Sequence, residues 1–318
     1  MTGYVLDLAD IRIGDAGRVG PKVARLAEMA ATAGPPGGWR VPDGYAITAD
    51  ALRSLPRQSG SVPPWLRDAV AAAHERLAER TGRGAGLRVA VRSSAVTEDG
   101  DRASFAGQYA TYLGLTGIAE VCERIRDCLA SVSAGRAEAY RRDRRPGDEP
   151  ADLAVGVFEL VDARSAGVVF TMDPVTGDRG RMVVEANWGF GESVVSGAVT
   201  PDHWEVDAAA GVITATSVGA KRHCSRLDPG ADRVILTELT PDQAAEPSLS
   251  GEEVRRLCRL AASIAESEGV PQDVEWAIAH DGTVFLLQHR PETTWRATHE
   301  SFNPVQYALR NVFKVPGT

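Results

Sequence analysis

A mixed α+β chain in two lobes is what this sequence predicts, and three observations lead to it. Helical and extended patterns alternate through the first half. From Leu153 onward short β-branched runs take over, punctuated by turn residues. The 318 residues also exceed one typical domain, so the chain forms either one large two-lobed domain or two ordinary ones. Either arrangement buries a substantial core.

In order, residues 3–9 read as a short strand and 14–20 as a turn. Residues 22–31 form a helix with Val23, Leu26, Ala27 and Ala30 at helical spacing. Pro21 suits the first turn of that helix, where its missing N–H costs nothing. A Pro/Gly loop at 34–38 precedes a strand at 44–48. A second loop at 56–64 leads to a helix at 64–80. Residues 87–91 form an apolar strand, Arg88 excepted, that runs into Arg92, Ser93, Ser94 and the polar loop TEDGDRASFAGQ. An amphipathic helix over 118–142 carries Val121, Ile125, Leu129 and Val132 on one face. It closes with Arg141, Arg142, Arg144 and Arg145, which complement the helix dipole. Strands follow at 153–161, 166–171, 181–186, 203–207 and 212–216. A helix over 250–268 has Ser250 as N-cap and Glu253 at the capping-box position. Strands at 273–279 and 283–288, joined by the turn AHDG, close the patterned region, and 305–312 carries a short helical pattern.

A formal charge of −8 and a pI near 5.4 argue against non-specific nucleic-acid binding, which needs a basic surface. Any polyphosphate must then be held by a local positive site. Residues 1–15 lack the basic flank and apolar core of a signal peptide, and the longest apolar run, near 153–161, is too short to span a bilayer. The four cysteines, Cys122, Cys128, Cys224 and Cys258, show no metal-type spacing and read as free thiols. A cytoplasmic protein is the expectation.

Three segments carry chemistry. In VFLLQHRP, strict alternation puts Val284, Leu286, Gln288 and Arg290 on one face and Phe285, Leu287 and His289 on the other. Glu275, among apolar Val274, Trp276 and Ile278, projects opposite to them. Glu, Gln and Arg across two strands suit a Mg·polyphosphate: oxygen donors for a hard cation, a planar fork for phosphate. Second, the strand delivering Arg92, Ser93 and Ser94 into a Gly-containing loop can aim a cation, hydroxyls and backbone amides at phosphates, and Gly107 permits close approach. No Walker P-loop or GxGxxG fingerprint occurs. Third, Lys22 stands at a helix start, where anions are favoured.

Together, RVGPKVARLAEMA, VAVRSSAVTEDGDRASFAGQYATYL, AGVVFTMDPVTGDRGRMVVEANWGFGESVVSGAVTPDHWEVD and QDVEWAIAHDGTVFLLQHRPET resemble the N-terminal nucleotide-binding domain of phosphoenolpyruvate synthase, pyruvate phosphate dikinase and rifampin phosphotransferase. The likeness runs from about residue 4 to 292. It implies an ATP-grasp-like fold whose two lobes enclose a nucleotide cleft, divided as 1–162 and 163–294 with a tail at 295–318. It implies ATP and Mg²⁺ as cofactors. By the resemblance, Lys22 and Arg92 contact phosphates, and Gly107 and Thr111 belong to a phosphate-covering loop. Glu275 and Gln288 hold Mg²⁺ or its nucleotide, and Arg290 grips the transferring end. Asp173, Glu185 and Glu192 are acidic candidates for structure or metal support. Two positions depart from the family: Pro21 where a second glycine is usual, and Phe158 where a glutamine near the adenine is common.

In that family a histidine in a Thr-Ser-His-type motif on a mobile domain takes the phosphoryl group. No such motif surrounds His74, His203, His223, His280, His289 or His299. His289 points away from Gln288 and Arg290 and reads as structural. The resemblance therefore implies one module of a three-module machine, a subunit serving a histidine-bearing partner or a fragment. It cleaves ATP to AMP and phosphate, without nucleic acid or membrane. A non-catalytic ATP-binding regulatory module and an ATP-grasp carboxylate ligase are the alternatives.

Overall fold

The computed structural model describes residues 3–32, 38–55, 61–96, 110–143, 153–228, 230 and 233–292, with side chains of the helix at 118–143 described to residue 131. Gly107, the side chains of the basic cluster from Arg141 to Arg145 and the tail lie outside the described residues. In chain order the elements are β1 (Val5–Asp7), α1 (Ala16–Val19), α2 (Pro21–Thr32), β2 (Trp39–Arg40), β3 (Gly44–Ile47), α3 (Ala49–Arg53), α4 (Pro64–Thr81), β4 (Val89–Ala95), β5 (Thr111–Leu115) and α5 (Ile118–Asp143). There follow β6 (Leu153–Glu159), β7 (Ala163–Phe170), β8 (Arg181–Trp188), α6 (Glu192–Val195), β9 (Asp202–Asp207), β10 (Ile213–Ser217), β11 (His223–Leu227), β12 (Val234–Glu238), α7 (Pro241–Ala245), α8 (Gly251–Glu268), β13 (Gln272–Ala279) and β14 (Val284–Pro291). The chain is α+β, the class expected. It divides into two compact units, one of Met1–Ala33, Val41–Leu160 and Leu227–Arg233, the other of Gly34–Arg40, Val161–Arg226 and Val234–Thr318.

The first unit is built on an antiparallel sheet in the order β1-β3-β6-β4-β5. Alternation along β4 sends Val89, Val91 and Ala95 into one core with Leu52 of α3, Leu66, Val70 and Leu77 of α4, and Val121 and Ile125 of α5. Each such side chain taken out of water contributes about 1.5–3 kcal/mol. The opposite sheet face, through Ala46 and Phe158, packs on Val19 of α1 and on Val23, Ala24, Leu26 and Ala27 of α2. Pro21 is the first residue of α2, as its fixed φ favours. Three strand readings are adjusted here. Residues 3–9 give a strand only at 5–7, followed by a single 3-10 turn at 8–10. The strand after Arg88 continues through Arg92 to Ala95 rather than ending at Val91. Thr111 opens β5, a strand the sequence reading lacked, directly opposite Arg92.

The second unit is a seven-stranded sheet in the order β10-β9-β8-β7-β13-β14-β2, antiparallel except where β2 runs parallel to β14. One sheet face is apolar: Val184, Trp204, Val206, Val274, Trp276 and Ile278 are all at most 2% exposed. Helix α8 packs on this side with Val254, Leu257, Ala261 and Ile264. Its start is fixed by the expected capping box, the Ser250 hydroxyl accepting from Glu253 N and the Glu253 carboxylate accepting from Ser250 N. β11 and β12 form a separate two-stranded ribbon. A buried ion pair ties loops of this unit together. Lys221 Nζ lies 2.9 Å from Asp202 Oδ1, and both side chains are fully buried. Lys221 also donates to the carbonyls of Ala244 and Glu246, and Asp202 accepts from Gly219 N and from Ser248 N and Oγ, so each charge is hydrogen-bonded on several sides.

Candidate functional site

In the first unit the sheet decides which side chains can work together. Arg92 pairs with Thr111 on one side and Gly156 on the other, so its side chain leaves the sheet on the α2 face, opposite to Val91. Ser93 and Ser94 are split by the same alternation. The Ser93 hydroxyl donates to the Ala110 carbonyl at 3.3 Å, whereas Ser94 follows Arg92 to the α2 face. Gly20, just before α2, sits against Ser94: φ is 77°, and a Cβ there would run into the Ser94 hydroxyl and come within 2.7 Å of its carbonyl oxygen. That close approach sets the start of α2, with Lys22 in its first turn, beside the end of β4 that carries Arg92. Lys22, Arg92 and Thr111 thus come to one face of one sheet.

Phe158 has a different place from the one its family position suggested. Its ring is 6% exposed and lies in the apolar core beneath α2, filling the space over Gly44 and Gly156 where any side chain would collide with it. The ring is committed to packing and is not presented for stacking on a purine.

In the second unit the candidate set lies on the sheet face away from the apolar one. Glu275 pairs with Gln288 and Asp273 with Arg290, so these four side chains share a face in two adjacent rows. The strict alternation read along β14 is overturned. A bulge places Glu275 opposite Gln288 but Trp276 opposite Leu286, leaving Leu287 as an extra residue. Val284 and Leu286 consequently turn to the apolar face with Trp276 and Ile278, while Gln288 and Arg290 share the polar face with Phe285. His289 stays on the apolar side, 4% exposed, with Nδ1 3.0 Å from Gln272 Oε1. It is structural, as expected.

Asp273 is the member that sequence reasoning missed, although its place two residues before Glu275 gives it the same face. It is 5% exposed and receives Arg290 Nε at 2.8 Å and Nη2 at 2.7 Å, both on Oδ2. The other oxygen, Oδ1, is buried without a hydrogen-bond partner among the described residues. Burial pushes the Asp273 carboxyl up to about 6 against the opposing Arg290 charge, and Glu275 adds to the rise. For Arg290, burial disfavours the charge, yet the Asp273 carboxylate outweighs it and holds the guanidinium above its ordinary value. The oxygen atoms of Glu275 and Gln288, with the unused Asp273 oxygen, are hard donors of the kind Mg²⁺ takes. Among the described residues no group of three or more His, Cys, Asp and Glu side chains is arranged for a metal.

The same face continues across the sheet. Glu185 pairs with Val168, itself opposite Glu275, and His203 pairs with Glu185. A hydrogen bond donated to Glu185 raises the His203 imidazole above its ordinary value, against partial burial, with Glu205 contributing charge. Asp173 caps a turn, accepting from Val175 N at 2.8 Å and Thr176 N at 3.1 Å. Burial works to raise its carboxyl, but hydrogen bonds from Thr176 and Val175 hold it below the ordinary range. Glu192 opens the short helix α6, and its backbone carbonyl accepts from Ser196 Oγ. All four cysteines are buried free thiols, and no described helix is long and apolar enough to cross a membrane.

An α+β chain with Lys22 at a helix start and Arg92 on the strand beside it, and a Glu–Gln–Asp–Arg set on a second sheet, carries the residue types that phosphate groups select. The family follows from sequence. Residues 56–311 match the family described as pyruvate phosphate dikinase, AMP/ATP-binding domain, and the chain belongs to it. It is similar to a probable phosphoenolpyruvate synthase of Methanothermobacter thermautotrophicus, 34% identical over 95% of this chain and 48% of that protein. It is 35% identical to a probable phosphoenolpyruvate synthase of Archaeoglobus fulgidus over 92% of this chain and 42% of the relative. The prodigiosin synthesizing transferase PigC of Serratia marcescens is 40% identical over 81% of this chain and 30% of its own length. The chain thus spans less than half of each of these relatives. Among solved structures, D-alanyl-alanine synthetase A from Vibrio cholerae aligns with 93% of this chain and 67% of its own, at 8% identity and a TM-score of 0.34, too distant a likeness to carry an argument.

Proposed function

We propose that this chain is the ATP-binding component of a phosphoenolpyruvate synthase-like phosphotransferase. It cleaves ATP to AMP and phosphate and passes a phosphoryl group to a histidine on a separate partner domain or subunit. The observation that carries the reading is the polar face of the second unit, where Glu275 and Gln288 stand opposite each other beside the Asp273–Arg290 pair. Family membership over residues 56–311 supports the same conclusion.

In this reading Lys22 and Arg92 neutralise phosphate oxygens, with Thr111 beside Arg92 and Gly107 in the covering loop. Arg290, oriented by Asp273, grips the transferring end. The guanidinium is planar and charged throughout the working pH range, so it can follow the phosphoryl group as charge develops on it. Glu275 and Gln288 would hold Mg²⁺, which supplies charge neutralisation between phosphates when bound. The work of the protein is positioning and electrostatic stabilisation of an in-line transfer. The two departures from the family pattern leave these residues in place: Pro21 occupies a position proline favours, and Phe158 belongs to a core.

The test is product analysis with the pure chain, Mg·ATP and a histidine-bearing partner domain of a phosphoenolpyruvate synthase. AMP and a phosphorylated partner are expected. ADP as the only nucleotide product, with the partner unmodified, would remove the proposed chemistry.

A further inference from the structure

Of the two serine hydroxyls that follow Arg92, the structure leaves that of Ser94 without work. It is buried, the residue being 1% exposed, and it has no hydrogen-bond partner among the described residues. An orphaned buried hydroxyl costs free energy that an alanine of nearly the same shape would avoid. Its position narrows what the missing partner is. The hydroxyl lies against Gly20, on the side of that residue where a side chain would stand, immediately before α2. Helix α2 runs twelve residues, and the amides of a first turn point out of the helix toward whatever lies ahead. Arg92 leaves the same face of β4 two residues earlier, and Lys22 is in the first turn of α2. Thus the start of α2, two cations and a hydroxyl in want of an acceptor lie on one sheet face, with the missing side chain of Gly20 letting Ser94 pack directly against the helix start. Ser93 does not compete, because its hydroxyl is already spent on the Ala110 carbonyl.

We infer that Ser94 is a nucleotide-binding residue whose hydroxyl donates to a phosphoryl oxygen held at the start of α2. The inference rests on the proposed ATP-binding reading and adds a residue to it. A phosphoryl oxygen is the acceptor the site selects: it is anionic, it is attracted by Lys22 and Arg92, and it takes a hydroxyl donor without needing to give one. Adding the bond removes a cost already present in the free protein, so Ser94 contributes to ligand affinity and subtracts from the stability of the free fold.

That opposition of signs is the test. Calorimetric titration of the full chain with Mg·ATP is run on wild type, Ser94→Ala, Ser94→Cys and Lys22→Ala, with the thermal midpoint of each ligand-free protein. Ser94→Ala is expected to bind about tenfold more weakly, the worth of a hydrogen bond to a charged group, while its ligand-free midpoint is unchanged or higher. Ser94→Cys keeps the volume and should lose affinity likewise. Wild-type affinity in both Ser94 variants overturns the inference. So does a loss of affinity that only accompanies a lower ligand-free midpoint, which marks Ser94 as packing alone. If wild type binds Mg·ATP and Lys22→Ala weakens it while both Ser94 variants do not, Ser94 alone is removed. If wild type binds no Mg·ATP, the ATP-binding reading falls and this inference with it.

Discussion

Replacing Arg290 with Ala should destabilise the second unit as well as stop phosphoryl transfer, because Arg290 is the partner of a buried carboxylate. Both of its contacts, at 2.8 and 2.7 Å, fall on Oδ2 of Asp273, a residue 5% exposed whose other oxygen already lacks a partner. Removing one member of a fully buried pair costs about 3–5 kcal/mol. The Arg290 side chain is 50% exposed, so solvent screening reduces its share. A cost of about 2 kcal/mol is the expectation, close to the value of a hydrogen bond to a charged group. It should appear as a fall of about 4–8 °C in the thermal midpoint, or as an earlier transition in urea with an unchanged slope. The cause is separable by a second substitution. Asp273→Asn removes the charge that needed Arg290, so Arg290→Ala in an Asp273→Asn background should cost far less than alone. Proton linkage gives an independent arm in Mg²⁺-free buffer. The folded Asp273 carboxyl lies near 6, above its ordinary 3.8. The native state therefore binds the extra proton between those values, and its contribution to stability falls as pH rises through that window and levels above it. Without Arg290 the carboxyl moves higher still, so the deficit of Arg290→Ala should shrink as pH falls from that higher value toward 6 and level off below about 6. An Arg290→Ala protein that unfolds like wild type at pH 8, or one that Asp273→Asn does not relieve, would refute this account of the pair.

Three further outcomes are expected. Lys221→Met leaves the fully buried Asp202 without its cation and should cost about 3 kcal/mol, the lower end of the range because Asp202 keeps its bonds from Gly219 and Ser248; urea denaturation measures it, and a loss under about 1 kcal/mol would contradict it. His203, raised by the hydrogen bond it donates to Glu185, favours the folded state while protonated; that stability is fully present below its ordinary pKa of 6.5 and is lost as pH rises through the higher folded value, so His203→Gln should flatten the pH dependence of the thermal midpoint above pH 6.5. Ser250→Ala removes the cap that receives Glu253 N and should cost about 1 kcal/mol without changing nucleotide affinity, read by thermal melting and titration together.

Much of this was legible in the residues, and the failures have physical reasons. Helices α2, α4, α5 and α8 carry their 3.6-residue apolar period or their caps in the sequence, and their limits fall within a residue or two of expectation. What local pattern cannot carry is pairing. Strand β6 enters the first sheet between β3 and β4, far from both in sequence, and that neighbourhood places Gly156 beside Arg92. Strand β5 was hidden because its period is short and it follows a polar loop. Phe158 illustrates the same limit: its family position suggested a ligand contact, and only the glycines at 44 and 156 across the sheet reveal a ring packed as core.

The bulge at Leu287 is the most instructive departure, because it changes the faces and leaves the chemistry intact. Without it, the alternation that puts Gln288 and Arg290 opposite Glu275 and Asp273 would put Leu286 and Val284 on the same polar face. Two large apolar side chains would then leave the side that α8 covers, at about 1.5–3 kcal/mol each. The extra residue lets one strand satisfy both demands: Val284 and Leu286, at most 1% exposed, stay on the apolar face, and the strand end still presents an amide and a guanidinium on the other. No glycine or proline marks the position, so nothing in VFLLQHRP announces it; the signal is the mismatch between an apolar period that ends at Leu286 and a polar period that begins at Gln288. Deleting Leu287 makes this concrete. The deletion brings Leu286 next to Gln288 in plain alternation, so Leu286 stays on the apolar face and Gln288 and Arg290 stay on the polar one, and the variant should keep nucleotide binding and unfold within about 1 kcal/mol of wild type. Loss of binding, or a loss of several kcal/mol, measured by calorimetric titration and urea denaturation, would show that Leu287 does more than correct the register.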